Sequence, residues 1–117
     1  MLQLSIVVPL YNEAESLPEL CSWIDRVMKE NAFSYEMIFV NDGSNDNSWE
    51  VLKQLSTQYS SLLAISFARN YGKSAALHEG FSKASGQVVI TMDADLQDSP
   101  DEIPELYRLI TEENYDL

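Results

Sequence analysis

Gln87-Val-Val-Ile-Thr-Met-Asp-Ala-Asp-Leu-Gln-Asp98 is the stretch on which the reading of this chain turns. An apolar and β-branched run, Val88 to Met92, leads straight into two aspartates separated by one alanine. Such a run predicts a buried strand over 87–92. Side chains of an extended backbone alternate faces, so Asp93 and Asp95 are expected on one side and Ala94 on the other. Two neighbouring carboxylates at the end of a buried strand repel each other, and a proton or cation between them relieves that repulsion. Oxygen-only ligands suit a divalent ion such as magnesium or manganese. The competing reading is a polar loop where a strand ends, and the motif alone does not choose.

The same strand, polar loop and helix recur upstream. Gln3 to Val8 reads as a first strand closed by Pro9, followed by the elbow Tyr11-Asn12-Glu13. Ser16-Leu-Pro-Glu19 has the form of a capping box, and Leu17, Leu20, Cys21, Ile24, Val27 and Met28 behind it keep helical spacing. Tyr35 to Val40 predicts the second strand. The turn-rich Asn41-Asp42-Gly43-Ser44-Asn45-Asp46 follows, with Ser44 and Asp46 as candidate caps, and then a helix facing inward through Trp49, Leu52, Leu55 and Tyr59. Leu62 to Phe67 predicts the third strand and Ala68-Arg69-Asn70-Tyr71-Gly72-Lys73 its loop. A helix over 74–84 then carries small residues (Ala75, Ala76, Gly80, Ala84) suited to close packing on a sheet. Beyond the opening stretch, Ser99-Pro-Asp-Glu102 is a second capping box with proline at the first helical position. Ile103, Leu106, Tyr107 and Ile110 mark the inward face of the last helix.

Four strands alternating with four helices predict an α/β fold with a mostly parallel sheet, flanking helices and right-handed crossovers. Residues 1–117 read as part of one domain. Asn114-Tyr-Asp-Leu117 resembles Ser34-Tyr-Glu-Met37, so the chain reads as truncated where a fifth strand begins.

Composition narrows the partners. The chain is 45% hydrophobic and 22% charged, which fits a globular domain and excludes disorder. A net charge of −12 argues against nucleic acid or an anionic lipid surface as the main partner. From Asp93 to Asp116 there are nine acids and only Arg108 to oppose them, so an anionic ligand there needs a metal to bridge it. Cys21, the single cysteine, lies on the apolar side of its helix and reads as buried and inert. No segment approaches the roughly 20 apolar residues of a membrane span, and the N-terminus lacks a basic leader, so a cytoplasmic location is expected.

In a parallel sheet, ligands bind along the edge where the strands' carboxyl ends emerge. All four strand-to-helix loops that meet there are polar, and no comparable collection is expected at the opposite edge. Tyr11 offers a flat face, and Glu13 and Asp42 offer acceptors, which suits a base and ribose hydroxyls. Asp42-Gly-Ser is also an ordinary turn signal. Arg69 and Lys73 bracket Gly72 at a helix start, a natural phosphate site. Asp93, Asp95 and Gln97 are the candidate metal ligands. Such an ion neutralises a departing diphosphate. His78 sits mid-helix and is not assigned to the ligand. Tyr71 either stacks on a ligand or packs, and Glu112-Glu113 reads as a solvated helix end.

Val-Val-Pro-Leu-Tyr-Asn-Glu (7–13), Val-Asn-Asp-Gly-Ser-Asn-Asp (40–46), Arg-Asn-Tyr-Gly-Lys (69–73) and Asp-Ala-Asp-Leu-Gln-Asp (93–98) together resemble the family 2 glycosyltransferases of GT-A fold. The likeness is closest to the branch with dolichol-phosphate mannose synthase and the bacterial polyprenyl-phosphate glycosyltransferases. It implies a Rossmann-like GT-A architecture whose N-terminal part binds a UDP- or GDP-linked sugar. Pro9, Tyr11, Glu13 and Asp42 would contact the nucleoside and Lys73 would lie near the nucleotide. Asp93, Asp95 and Gln97 would form the Asp-x-Asp metal and diphosphate site for Mg2+ or Mn2+. Asn41 stands where many relatives have a second aspartate. The implied reaction is inverting transfer of the sugar to a lipid (polyprenyl) phosphate. The alternatives are transfer to a polysaccharide or surface glycan, and donor binding without turnover.

The resemblance also implies a catalytic base and acceptor contacts beyond Leu117, with the full-length protein at the cytoplasmic face of a membrane. Residues 1–117 alone are therefore expected to bind donor with little or no turnover. A receiver-type signalling domain fits poorly, because the third loop is basic. A sugar-phosphate nucleotidyltransferase fits poorly too, because Pro9 to Glu13 is not a glycine-rich loop.

Overall fold

The computed structural model describes residues 1–112. Strands β1 (Leu4–Leu10), β2 (Tyr35–Asn41), β3 (Leu62–Ser66) and β4 (Val88–Thr91) alternate with helices α1 (Leu17–Glu30), α2 (Ser48–Gln58), α3 (Lys73–Lys83) and α4 (Ile103–Glu112). All strand pairs are parallel, in the order β3-β2-β1-β4. The expected α/β architecture is therefore present. The proposed fifth strand and Glu113 lie outside the described residues.

The two faces of the sheet are covered unequally. Leu4, Ile6, Val8, Met37, Phe39, Val88 and Ile90 form one large core with the stripes of α1, α2 and α4. The α1 stripe is Leu17, Leu20, Cys21, Ile24, Val27 and Met28, the set read from helical spacing. Burial pushes the Cys21 thiol up to about 12, with Asp25 adding to the effect, so it stays an inert thiol. On the other face Val7, Ile38 and Val40 pack under α3 through Ala76. A Cβ on Gly80 would lie 2.4 Å from Val7 Cγ1, so the glycine sets how closely this helix approaches.

Several local expectations are corrected. Pro9 does not close β1 but sits inside it, paired with Val40. Backbone groups of Leu4 and Leu10 bond toward β2 and those of Val7 toward β4, so the alternation points Pro9 toward β4. Pairing with β4 ends at Val7 and Thr91, so the missing N–H of proline leaves no ladder bond unmade. Neither capping box forms as expected. Ser16 stands at the N-cap of α1 without a side-chain cap bond. Ser99 accepts from Asp101 N at the head of a 3-10 turn, Pro100–Glu102, that precedes α4. Of the candidate caps for α2, Asp46 accepts from Ser48 N, whereas Ser44 turns back to Asn41.

The amino-terminal edge of the sheet also carries polar chemistry, contrary to expectation. The fully buried Ser5 donates to Glu36 Oε2 at 2.5 Å and accepts from Gly86 N at 2.7 Å, while Ser85 donates to the same carboxylate from its amide and its hydroxyl. Burial pushes the Glu36 carboxyl up, but the bonds from Ser5 and Ser85 outweigh it and hold the group below its ordinary value. Stability from such a depressed carboxyl is full above about 4.5, its ordinary value, and is lost as pH falls through the lower folded-state value. Glu36→Gln is thus expected to be less stable than wild type at neutral pH, with the difference shrinking in urea melts taken at progressively more acid pH. A difference independent of pH would show that the network does not depend on the charge.

Candidate functional site

The strand order reverses between β1 and β4, which opens a crevice at the carboxyl ends of those two strands. A depression of about 280 Å3 lies there, lined by Pro9, Leu10, Tyr11, Glu13, Asp42, Lys73, Asp93, Ala94 and Asp95. The nucleotide-site residues named from sequence all contribute to it, and Gln97, Arg69 and His78 do not. Its volume falls just short of the roughly 300–1,000 Å3 of pockets that enclose a whole small ligand, so it takes only part of one.

Four joints tie the loops around this depression into a closed ring. The first loop bonds to the second: Asn12 N donates to Ser44 Oγ at 2.9 Å, and Asn12 Oδ1 accepts from Asn45 N at 2.8 Å and Asp46 N at 3.2 Å. Asn12 takes a left-handed backbone with φ 54°, a conformation asparagine tolerates. Glu13 N donates to Ser48 Oγ, and Asn45 Nδ2 donates to Tyr11 Oη. Tyr11 is thereby held at the rim with 42% of its surface exposed. Asn41 is buried too. It accepts from Ser44 and donates to Ser66 Oγ, so here it braces the turn.

The second loop holds the third. Asp42 is 4% exposed, and its carboxylate accepts from Tyr71 N at 2.8 Å, Gly72 N at 3.0 Å and Asn70 Nδ2 at 3.3 Å. Gly43 has φ 67°, and a Cβ there would sit 2.1 Å from the carbonyl carbon of Arg69. Backbone rests on backbone at this point. Tyr71 meets Phe67 edge-on with the Arg69 guanidinium 5.0 Å from its ring, and 56% of its surface stays exposed.

The third loop meets the fourth through Lys73 Nζ, which donates to Asp93 Oδ1 at 2.7 Å. That hydrogen bond, then the charges of Asp93, Asp98 and Asp95, raise the Lys73 ammonium above its ordinary value and keep it protonated. The fourth loop closes the ring onto the first, because Ser16 Oγ donates to Ala94 O at 2.6 Å. This bond replaces the expected helix cap. Strand β4 has already ended at Thr91, and Ala94 and Asp95 lie in a turn, so strand alternation does not govern them. Asp93 and Asp95 nonetheless line the same depression. Asp93 N donates to Asp98 Oδ2 and Gln97 N to Asp95 Oδ1, with Leu96 left-handed at φ 67°.

The donor set suits a hard divalent cation. Its groups are carboxylate oxygens, and the Lys73 ammonium already stands on Asp93 as a positive charge. Among the described residues no three His, Cys, Asp or Glu side chains converge on a metal position. Asp93 and Asp95 would supply only part of the shell of such an ion and would leave the rest to ligand and water. Sequence reasoning did not find Asp98, Ser16 or Asn70 as supports. Asp98 lay within the aspartate motif, but nothing in its spacing showed that it would clamp the Asp93 amide.

Comparison with known proteins agrees with this geometry. Residues 5–117 match the model of a family described as glycosyl transferase family 2. An undecaprenyl-phosphate 4-deoxy-4-formamido-L-arabinose transferase of Pseudomonas fluorescens is 50% identical over 103 residues, covering 87% of this chain and 30% of the relative. The protein of that name from Serratia proteamaculans is 45% identical over 116 residues, covering 98% of this chain and 35% of its own. The chain thus spans about a third of the length of these relatives. Among solved structures, the mannosyltransferase PcManGT from Pyrobaculum calidifontis, in complex with GDP-Man and Mn2+, superposes with a TM-score of 0.82 at 22% identity. That match covers 94% of this chain and 32% of that one. Glucosyl-3-phosphoglycerate synthase from Mycobacterium tuberculosis, in complex with UDP, gives 0.72 at 23% identity over 94% of this chain and 40% of that one. These two likenesses establish the fold.

Proposed function

Because this chain belongs to glycosyl transferase family 2, we propose that its ring of loops is the donor half of a GT-A site, serving transfer of a sugar from a nucleoside diphosphate to a polyprenyl phosphate. One observation carries the reading: Pro9, Tyr11, Glu13, Asp42, Lys73, Asp93 and Asp95, drawn from four separate loops, line a single depression at the sheet's switch point. Tyr11 and Pro9 present flat surface to a base, and Glu13 presents acceptors to the nucleoside. Lys73 supplies positive charge for the diphosphate. Asp93 and Asp95 would hold Mg2+ or Mn2+, with Gln97 beside them. When bound, such an ion offsets the charge of a departing nucleoside diphosphate.

The choice of acceptor follows the names of the relatives, which are undecaprenyl-phosphate transferases. None of the loop side chains is assigned to the attacking side of the reaction, which we read as inverting. Among the described residues no helix is long and apolar enough to cross a membrane. The reading places the donor chemistry in the cytoplasm, at a membrane surface where a lipid phosphate is presented.

Calorimetric titration of UDP-glucose, GDP-mannose and UDP-N-acetylglucosamine, each with and without Mn2+, tests the assignment. Metal-dependent binding of one donor is expected, with loss of the metal dependence in Asp95→Asn. A folded chain that binds none of them in the presence of Mn2+ overturns it.

A further inference from the structure

We infer that Lys73 is a stand-in cation: its ammonium occupies Asp93 until a nucleoside diphosphate and a divalent metal arrive together, and it then transfers to the diphosphate. This deepens the donor-site reading and rests on it.

The ring of loops is the first support. Three of its joints use backbone groups: Asn12 N to Ser44 Oγ, the Tyr71 and Gly72 amides to Asp42, and Ser16 Oγ to Ala94 O. The remaining joint, Lys73 to Asp93, is made by two side chains alone, 63% and 49% exposed. Exposed ion pairs contribute little to stability and are screened by salt. This joint is therefore the one that opens at least cost. The lysine stem is long and flexible, and its ammonium acts as a point charge that can change partners without a fixed geometry.

Position is the second support. Beside the depression already described lies another, lined by Leu77, Thr91, Met92 and Asp98. Pro9, Lys73 and Asp93 line both, so the ion pair forms part of the wall between them. When Lys73 leaves Asp93, the two spaces join and a ligand larger than the first depression can extend into the second.

The consequence is a coupling. Lys73 and a divalent ion compete for Asp93, which weakens metal binding in the absence of nucleotide. A diphosphate draws the ammonium away and frees the carboxylate. Metal and nucleotide therefore strengthen each other's binding, and by linkage the effect is reciprocal.

Mn2+ binding followed by electron paramagnetic resonance of the free ion provides the test. Wild type, Lys73→Met and Lys73→Arg are titrated with Mn2+ alone and then with UDP or GDP present, with circular dichroism confirming that each is folded. Lys73→Met is expected to bind Mn2+ roughly five- to tenfold more tightly than wild type without nucleotide, from loss of the competing pair and of its repulsion. Added nucleotide should then tighten its Mn2+ binding less than it does in wild type. Lys73→Arg, which keeps the charge, should show no gain.

Equal or weaker Mn2+ binding by Lys73→Met alone overturns the stand-in role, as does a matching gain in Lys73→Arg. If wild type takes up Mn2+ with a nucleotide while Lys73→Met shows no gain, the donor-site reading stands and only the stand-in role falls. If no folded variant binds Mn2+ under any of these conditions, both fall.

Discussion

Gly43→Ala is expected to cost about 3 kcal/mol of folding stability and to abolish nucleotide binding. A left-handed backbone disfavours any residue with a Cβ by roughly 1–2 kcal/mol. The larger penalty is steric, since the new carbon would lie 2.1 Å from Arg69 C, 2.3 Å from Asn70 N and 2.6 Å from Arg69 O. All three are backbone atoms, so no rotamer change relieves the overlap. The second and third loops must separate, and the bonds that the Tyr71 and Gly72 amides donate to Asp42 go with them. Urea denaturation followed by circular dichroism measures the loss, and a change under about 0.5 kcal/mol, the scatter of ordinary surface substitutions, would show that these loops do not touch in solution.

Asp42→Asn is expected to lower stability by about 2–3 kcal/mol, because hydrogen bonds to a charged acceptor contribute roughly 1.5–3 kcal/mol each. The buried carboxylate accepts on both oxygens from Tyr71 N, Gly72 N and Asn70 Nδ2. An asparagine keeps one acceptor and aims an NH2 at the remaining donors. Nucleotide affinity should fall in the same variant, since Lys73 follows directly on the loop that Asp42 anchors. Denaturation and nucleotide titration of the same sample separate two roles. If Asp42 served the ligand alone, binding would be lost with no change in the urea midpoint.

These two residues also show where the sequence was informative. The four β–α units were legible because each is written locally, in an apolar run followed by a helical stripe. The α1 stripe was read residue for residue for that reason. The candidate site was legible in part because a parallel sheet sends all its strand ends to one edge, and the loop residues named from composition do line one depression there. What stayed hidden is non-local. Ser16 has the pattern of a cap, but the Ala94 carbonyl, 78 residues away, takes its hydroxyl. Asp42 was read as a ligand acceptor, and nothing nearby in sequence announces that its partners lie at 70–72. Ser5 and Glu36 are polar interruptions of apolar strands, and that was the available signal for their network with Ser85. Pro9 misled for a simple reason: proline breaks a ladder only on the side its nitrogen faces, and that side becomes known only with the strand order.

Strand β1 draws its two neighbours from distant parts of the chain, Tyr35–Asn41 on one side and Val88–Thr91 on the other. During synthesis the first flank can be satisfied as soon as β2 leaves the ribosome. The second flank stays bare until β4 has been made, an interval of 50 further residues from Asn41 to Thr91. For that time Leu4-Ser-Ile-Val-Val is an uncharged strand with an open side, the kind of edge that recruits a neighbouring chain. Pro9 offers no donor on that side, so it also limits how far a wrong partner can zip along the nascent strand.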